Sequence, residues 1–357
     1  MDTEHSAAWT GTVATPPCSA ATRDEAASAL STHLVGQCAR FREAMDLVRL
    51  YATWPAPLLI VGETGTGKEL VARAVHYQSP RRHRPFIPVN CATLPDQLVE
   101  SELFGHTRGA FTDASQARQG LVRLAEGGTL FLDEVEALSP RGQGALLRFL
   151  QDSSYRALGG NQLLHADVRV LAASNVDLRG KAAAREFRDD LLYRLDAFRV
   201  HLPPLRERLD DLPLLVPHLL AKAARETDGV PRRMTEPGFA VLRAIDWPGN
   251  VRQLEHVLLK AHVVCQGDQI GVAELHRSAP ELAHASVQAA AMVPMLLSLR
   301  AAKRAAADQA ERQFVQDVLL RSSGNISEAA RLSGLQRASL SRLAKKYGVN
   351  ARALGGV

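Results

Sequence analysis

One short stretch has the residue types and the spacing to bind phosphate groups. The apolar segment Leu58–Val61 is followed by Gly62, Gly65, Gly67 and Lys68, and then by apolar residues at helical spacing. In a strand–loop–helix unit of this kind, backbone N–H groups and the positive end of the helix face an anion, and the lysine reaches its terminal phosphates. The pattern predicts a nucleotide site. The alternative is a glycine-rich turn that only closes a strand–helix unit.

Two adjacent acids could complete this site. Asp133 and Glu134 follow the apolar segment Thr129–Leu132, which places them at the end of a predicted buried strand. There Asp133 can hold Mg²⁺, through water, and Glu134 can polarise the attacking water. Glu69 stands where most phosphate-binding loops have a Ser or Thr ligand for Mg²⁺. The alternative interpretation of the two acids is a solvated strand end.

The elements that must position these residues alternate between strands and helices. Pro85–Asn90 and Val168–Asn175 are predicted to be further strands with polar ends. The alternation predicts an α/β fold with a parallel sheet, and ligands bind at the carboxyl ends of such strands. We therefore expect Asn90, Asp133 and Asn175 to lie close together.

Composition excludes several classes of protein. The chain has 357 residues, of which 46% are hydrophobic and 23% charged, as expected for a globular protein of two or three domains. No apolar run approaches the roughly 18 residues of a membrane helix. The 4 cysteines form no C-x-x-C pair, which favours a reducing compartment and argues against a zinc site. We expect a cytoplasmic protein that does not contact membranes.

The C-terminal end differs from the rest in charge and pattern. Residues 300–357 contain eleven Lys and Arg against four Asp and Glu, whereas the whole chain has a net charge of +5. Two short helical stretches, Ile326–Leu332 and Gln336–Tyr347, flank Gly334, which predicts a helix-turn-helix.

The inward positions of the second helix are predicted to be Ala338, Leu343, Ala344 and Tyr347. The outward, DNA-contacting residues are predicted to be Arg337, Ser339, Arg342, Lys345 and Lys346. Such a face suits the phosphates and base edges of duplex DNA; the alternative is a small interaction bundle.

Together these motifs resemble those of a known family. Residues 34–275 are similar to the AAA+ domain of sigma-54-dependent transcriptional activators (bacterial enhancer-binding proteins), and residues 309–349 to their Fis-type DNA-binding end. Gly62–Glu69 resembles the family's phosphate loop, in which Glu after Lys is usual, and Gly127–Glu134 resembles its acidic strand. The resemblance implies an AAA+ P-loop ATPase with a parallel sheet, a helical lid and a C-terminal all-α helix-turn-helix domain.

The resemblance also gives roles to single residues of the nucleotide site. Asn90 is similar to the residue that restrains the catalytic glutamate until the ring is ready, Asn175 to the first sensor, and Arg252 to the second sensor. With Lys68, Asp133 and Glu134 they form the catalytic set, in which Asp133 is the metal ligand. The implied nucleotide contacts are Val35, Gly36, Gly62, Glu63, Thr64, Gly65, Thr66, Gly67, Lys68, Glu69, Asp133 and Arg252.

Two arginines resemble the arginine fingers that reach into a neighbouring subunit. Arg188 and Arg194 belong to the segment Phe187–Leu195. At six residues apart they would be separated by about 240° around a helix, so they cannot share one face. We expect unequal roles for them and favour Arg194 as the finger.

A third motif resembles the loop with which the family grips sigma-54, which reads GAFTGA. Here it comprises Gly109, Ala110, Phe111, Thr112, Asp113 and Ala114. Asp113 replaces the second glycine. Asp tolerates a positive φ better than most residues do, but its charge lies beside Phe111 and Thr112, the expected contacts. Phe111 has no obvious packing partner within the sequence.

The resemblance implies an ATP-dependent activator that binds upstream enhancer DNA. Its hydrolysis of Mg²⁺-bound ATP, in a ring expected to be a hexamer, would remodel the closed complex of sigma-54 RNA polymerase, and it would bind DNA as a dimer. Two alternatives stay open. One is a DNA-binding regulator of the ordinary polymerase that uses the ATPase fold for assembly, which Asp113 favours. The other is an ATP-driven protein remodeller with a basic, protein-binding tail.

We expect five segments along the chain. These are a disordered tail (1–30), the α/β ATPase subdomain (31–210), the lid (211–278), a linker (279–305) and the DNA-binding domain (306–357). The tail is too short for a receiver domain. Control is therefore expected from a trans-acting partner protein, from expression level or from the nucleotide.

Overall fold

A computed structural model describes residues 34–111 and 114–280 and, with gaps, residues 311–346. The chain divides into two compact units, Met1–Pro280 and Glu281–Val357, and each is described by itself. The predicted tail, most of the predicted linker, and Thr112 and Asp113 lie outside the described residues. The five domain boundaries given above stay predictions.

The first unit contains alternating strands and helices. Its strands are β1 (Leu58–Val61), β2 (Phe86–Asn90), β3 (Gly105–His106), β4 (Arg118–Gln119), β5 (Thr129–Asp133), β6 (Ser154–Tyr155), β7 (Leu164–His165), β8 (Arg169–Ser174), β9 (Phe198–His201), β10 (Arg233–Met234) and β11 (Gln269–Ile270). Its helices are α1 (Ala39–Ala52), α2 (Lys68–Tyr77), α3 (Val99–Phe104), α4 (Leu121–Leu124), α5 (Pro140–Asp152), α6 (Leu178–Ala183), α7 (Asp189–Leu195), α8 (Leu212–Glu226), α9 (Glu236–Arg243), α10 (Asn250–Val264) and α11 (Val272–Ser278). Among the described residues, no helix is both long enough and apolar enough to cross a membrane.

Five strands form one parallel sheet in the order β2-β5-β8-β1-β9. The strands are in register at their carboxyl ends, where Asn90 lies opposite Asp133 and Val61 opposite Ser174. The α/β fold with a parallel sheet is therefore confirmed. The register also brings the polar ends of β2, β5 and β8 to one edge of the sheet, beside the loop that follows β1.

Both faces of the sheet are buried under helices. Side chains alternate between the faces of a strand, so Leu59 and Leu130 enter one core with α5 and α7. Leu58 and Ile60 enter the opposite core, where they meet Val71 of α2. Burial on both faces explains why these strands are continuous apolar runs in the sequence.

The lid consists of α8, α9, α10 and α11, and a short parallel pairing of β10 with β11. Trp247 is its central side chain: it is fully buried, and its indole N–H donates to the Leu242 carbonyl over 2.9 Å. Trp247 and Asn250 both have a positive φ, of 53° and 52°. The connection between α9 and α10 therefore contains two residues with a left-handed backbone. The second of them, Asn250, faces the ATPase subdomain.

The second unit contains the predicted pair of short helices, α12 (Ile326–Ser333) and α13 (Arg337–Lys346). Asn325 caps α12, and Gly334 ends it with a φ of 66°. Leu340 is fully buried in the small core of this unit, with Ala344 nearly so. Leu340 was not among the predicted inward positions, which were Ala338, Leu343, Ala344 and Tyr347. It lies one helical turn before Ala344 and so shares the inner face with it.

Candidate nucleotide site

The loop between β1 and α2 curls around its own lysine. Gly65 and Gly67 have φ values of 79° and 99°, a region that residues with a Cβ rarely adopt. The Lys68 ammonium group donates to the carbonyls of Gly62, over 2.8 Å, and Glu63, over 3.1 Å. Thr66 donates its hydroxyl to the Glu63 carbonyl over 2.8 Å. The loop is thus closed by polar contacts within itself.

The lysine of the site is buried, and its first acid is half-buried. Lys68 is only 8% exposed. Burial lowers its pKa, and the negative charges of Asp133, Glu136 and Glu134 oppose that shift. Burial likewise raises the pKa of Asp133, and the positive charge of Lys68 opposes it. Each group therefore stabilises the charged form of the other.

Asp133 and Glu134 leave the sheet in different directions. Asp133 is the last residue of β5, and Glu134 has a φ of 52°. The Asp133 carboxylate accepts a hydrogen bond of 3.0 Å from the Glu134 backbone N–H. Both acids thus lie at the carboxyl end of β5, where one can serve a cation and the other water.

The donor set fits Mg²⁺ that is held mainly by phosphates and water. The described residues include no cluster of three or more His, Cys, Asp or Glu side chains arranged for a metal. Mg²⁺ in ATPases commonly has only one or two protein carboxylates as ligands, and Asp133 can supply one. The Glu69 carboxylate is already paired with Arg73, with a closest distance of 2.6 Å.

The two asparagines predicted at the strand ends have different local partners. The Asn175 amide donates to the Thr64 hydroxyl over 3.3 Å, and its backbone N–H donates to Glu136 over 3.2 Å. Asn175 therefore links the end of β8 to the phosphate loop. The Asn90 amide oxygen instead accepts from the Ala92 backbone N–H over 2.8 Å, so in this structure Asn90 caps the turn after β2.

The lid contacts the phosphate loop through Asn250. Asn250 is fully buried. Its amide N–H₂ donates to the Glu63 carboxylate and the Thr64 carbonyl, both over 3.0 Å, and its amide oxygen accepts from the Leu205 backbone N–H over 2.7 Å. Glu63 also forms a two-point ion pair with Arg206, at 2.6 and 2.9 Å. The sequence analysis gave no role to Asn250 or Arg206.

A cavity between the ATPase subdomain and the lid brings together nine of the predicted nucleotide contacts. They are Val35, Thr64, Gly65, Thr66, Gly67, Lys68, Glu69, Asp133 and Arg252, and Glu134 joins them. Apolar side chains of Leu34, Phe41, Leu70, Leu215 and Val251 also line this cavity. Gly36 lies outside the lining and packs on Phe41 and Asp211. One end of the cavity thus suits phosphates, and its apolar walls suit a flat base.

Known proteins have the same organisation. Residues 34–201 match the family model of the sigma-54 interaction domain, residues 206–291 that of an AAA+ ATPase lid domain, and residues 306–347 that of bacterial regulatory proteins of the Fis family. The response regulator protein PilR of Pseudomonas aeruginosa is 39% identical over 321 residues, which cover 90% of this chain and 71% of PilR. The chain belongs to the sigma-54-dependent transcriptional activators. This confirms the family resemblance of the sequence.

Two further matches show how much of each relative the chain covers. The Nif-specific regulatory protein of Azotobacter vinelandii is 46% identical over 237 residues, which cover 66% of this chain and 45% of that protein. The structure of NtrX from Brucella abortus in complex with ATP is 30% identical with a TM-score of 0.65, and the alignment covers 92% of this chain and 73% of NtrX. The chain spans about half the length of several of the relatives it matches.

The two candidate arginine fingers of this chain have different environments. Arg188 immediately precedes α7 with an extended backbone. It forms a two-point ion pair with Asp190, at 2.8 and 3.0 Å. Our helical-wheel comparison of the two arginines was therefore wrong in its premise, because only Arg194 lies on the helix. Arg194 is exposed, and it makes no ion pair with the residues that the structure describes.

The candidate sigma-54 contact loop is anchored near its ends. The Thr107 N–H donates to the Leu158 carbonyl over 3.0 Å, and the Gly109 N–H to the Ala114 carbonyl over 2.8 Å. The ring of Phe111 meets His106 edge-on, with 5.0 Å between centroids. The expectation that Phe111 lacks a packing partner was wrong, because the partner comes from β3, which precedes the loop. Thr112 and Asp113 are outside the described residues.

The predicted DNA-contacting residues lie on α13 of the second unit. Arg337 and Arg342 are exposed, whereas Ser339 is half-buried. Ser339 lies one helical turn before Leu343, which packs against the core. Ser339 is therefore at the border of the inner face and does not face fully outward as expected. The side chains of Lys345 and Lys346 are outside the described set.

Proposed function

We propose that the protein is an ATP-dependent transcriptional activator. It binds upstream DNA through its second unit and uses ATP hydrolysis in its first unit to remodel the closed complex of sigma-54 RNA polymerase. One observation supports this proposal above all: Lys68, Asp133 and Glu134 line one cavity beside a glycine-rich loop. The compartment that we propose is the cytoplasm, because RNA polymerase works there.

The residues of the cavity have distinct roles in hydrolysis. Lys68 binds the terminal phosphates, and the N–H groups of the phosphate loop hold them in place. Asp133 is the proposed ligand of Mg²⁺, which when bound neutralises charge that develops on the phosphate oxygens. Glu134 orients the attacking water and takes up its proton. The Asn175 amide donates a hydrogen bond to the Thr64 hydroxyl of the phosphate loop. From this position Asn175 can sense whether phosphates are bound.

Hydrolysis is proposed to need more than one subunit. Arg194 is exposed and without an ion-pair partner in the described part of the chain, so it is available to a second copy. Arg188 is held by Asp190 and is better suited to stabilise its own subunit. A ring, which we propose to be a hexamer, would place Arg194 of one copy at the phosphates of the next, where an arginine finger stabilises transition-state charge.

The remaining parts supply the two macromolecular partners. The exposed Arg337 and Arg342 on α13 are proposed to contact duplex DNA, with the protein bound as a dimer on a pseudo-palindrome. Residues 109–114 are proposed to contact sigma-54. Control is proposed to come from a trans-acting protein, from expression level or from the nucleotide.

The experiment that tests this function is open-complex formation with purified sigma-54 RNA polymerase on a template with upstream binding sites. We expect open complexes with ATP and none with a non-hydrolysable analogue. Removal of the upstream sites should reduce their number at low protein concentration. Polymerase with the ordinary sigma factor is the matched control.

One sequence feature favours a second function. Asp113 adds a carboxylate at the expected contact with sigma-54, and an unpaired charge buried there would cost several kcal/mol. If the protein stimulates the ordinary polymerase without hydrolysis, and fails with sigma-54 polymerase, the alternative of a regulator of the ordinary polymerase replaces the first proposal.

A further inference from the structure

One cation of the nucleotide cavity has no role in the site described so far. Arg208 lies between β9 and α8, is 3% exposed, and lines the cavity. Its Nε is buried without a hydrogen-bond partner, and its side chain donates no hydrogen bond to any other residue that the structure describes. A guanidinium group has five N–H donors. Leaving them unpaired in the interior costs free energy, so a partner is expected.

The residues around Arg208 hold its side chain in place but accept no hydrogen bond from it. Its Cζ lies over the ring of Phe41, 4.7 Å from the centroid, in a cation–π contact. The charge of Asp211 acts on Arg208, but the structure shows no hydrogen bond between the two side chains. One carboxylate oxygen of Asp211, Oδ1, accepts the backbone N–H groups of Gln37, over 2.7 Å, and Cys38, over 2.9 Å, and the other, Oδ2, is buried without a hydrogen-bond partner. The guanidinium group is thus fixed in position while its donors stay available to the cavity.

Arg208 belongs to the apolar part of the cavity. Burial lowers its pKa, and the charge that chiefly opposes this shift is that of Asp211. The charges that act on Lys68 are instead Asp133, Glu136, Glu134 and Arg252. Phe41, which lies under Arg208, also lines the cavity, as do Leu34, Val35 and Leu215. These walls suit the base of a nucleotide rather than its phosphates.

We propose that Arg208 binds the purine base of the nucleotide by donating a hydrogen bond to one of its ring nitrogens. The ring nitrogens of adenine at positions 1, 3 and 7 are acceptors, and a guanidinium group can only donate. Since the contact is charge-assisted and shielded from water, it discriminates between bases that do and do not present an acceptor there. This inference rests on the proposed ATP site and adds a residue that determines its specificity.

The test is calorimetric binding of nucleotides to the full chain and to Arg208→Met, which keeps an apolar stem over Phe41. We expect Arg208→Met to bind ATP, ADP and AMP about 10- to 100-fold more weakly, by a similar factor for each, since the lost contact is to the base. Arg225→Met, an exposed arginine on α8, is the matched control and should bind as the unmodified chain does.

Deaza analogues of ATP identify the contacted atom. Of 1-deaza-, 3-deaza- and 7-deaza-ATP, one should bind the unmodified chain more weakly than ATP, and Arg208→Met should not distinguish it from ATP. The binding of the analogues to the unmodified chain does not need a folded variant, so this part of the test remains valid even if Arg208→Met is unstable. Unfolding temperatures without nucleotide show whether the variant is folded.

Three results would overturn the inference. They are ATP binding that Arg208→Met leaves unchanged, a loss that shrinks as phosphates are removed from ATP to AMP, and equal binding of ATP and all three analogues by the unmodified chain. In each of these the chain still binds ATP, so the proposed function survives. If the unmodified chain binds no nucleotide at all, the proposed function fails together with the inference.

Discussion

The phosphate loop and the candidate sigma-54 contact loop of the first unit are held in different ways. The phosphate loop has hydrogen bonds along its length. Lys68 donates to a carbonyl of the loop itself, and the lid residues Asn250 and Arg252 donate to the carbonyls of Thr64 and Gly65. In the described part of the candidate sigma-54 contact loop, the backbone bonds are short-range: those of Ala110 with Thr107, Gly109 with Ala114 and Ala114 with Phe111. The bond of Thr107 with Leu158 holds the chain just before the loop.

The difference follows from what each loop has to bind. A loop that stabilises charge on phosphate must have its N–H groups in place before the reaction, because reorganisation at that moment would raise the barrier. A loop that contacts a large protein needs firm ends and side chains that are free to meet the partner. We therefore expect substitutions at the first loop to act on hydrolysis, and substitutions at the second to act on coupling alone.

The largest effect is expected from Lys68→Ala. Loss of the ammonium group removes the charge that pairs with the phosphates, so nucleotide binding and hydrolysis should both be lost. Calorimetric titration with ATP measures the first and phosphate release the second. Lys260→Ala, an exposed lysine of the lid, is the control. Tight ATP binding by Lys68→Ala would remove the distinction between the two loops.

Glu134→Gln should separate binding from chemistry within the first loop's site. The amide keeps the size of the side chain but cannot take the proton of water, so turnover should fall by about 10²- to 10⁴-fold while ATP still binds. Steady-state phosphate release and equilibrium titration measure the two effects. Turnover that persists at the original rate would show that another group activates the water.

Arg194→Ala should lower hydrolysis by removing a group that acts in a neighbouring copy. An arginine finger contributes about 10³- to 10⁵-fold to phosphoryl transfer in other ATPases and GTPases. When Arg194→Ala and Lys68→Ala subunits are mixed, some sites combine an intact Lys68 with an intact Arg194, so activity should reappear. No recovery at any mixing ratio would argue against sites shared between subunits. Arg188→Ala, which breaks the pair with Asp190, should not complement in this way.

Asn250→Gly should produce the smallest effect, and it tests how the lid holds the phosphate loop. Glycine accepts the φ of 52° at this position, so the substitution removes the side-chain hydrogen bonds without straining the backbone. Leaving the buried partners of Asn250 unpaired should cost about 1–3 kcal/mol of unfolding free energy. Chemical denaturation measures this loss, and ATP should also bind more weakly. Asn161→Gly, in an exposed loop, should change neither quantity.

The sequence predicted those parts of the site that depend on local pattern. The apolar run before Gly62, the spacing to Lys68 and the acids after Thr129–Leu132 each identify an element within a few residues. The alternation of strands with helices then predicts the parallel sheet, and in such a sheet the polar strand ends meet at one edge.

Contacts between distant segments could not be predicted in this way. Asn250 reaches Glu63 across 187 positions of the chain, and nothing in either local pattern marks the other as a partner. Arg208 and Phe41 have the same relation, since their contact depends on how α1 packs beside the segment after β9. Phe111 was misjudged because its partner, His106, lies on a two-residue strand that periodicity cannot reveal.

The central claim is that residues 109–114 couple hydrolysis to sigma-54, and the rate of open-complex formation by Thr112→Ala tests it most directly. The account predicts that this variant hydrolyses ATP and binds upstream DNA as the unmodified chain does, yet forms no open complexes with sigma-54 polymerase. Asp113→Gly, measured in parallel, should keep or raise the rate. Open-complex formation by Thr112→Ala at the rate of the unmodified chain would contradict the account.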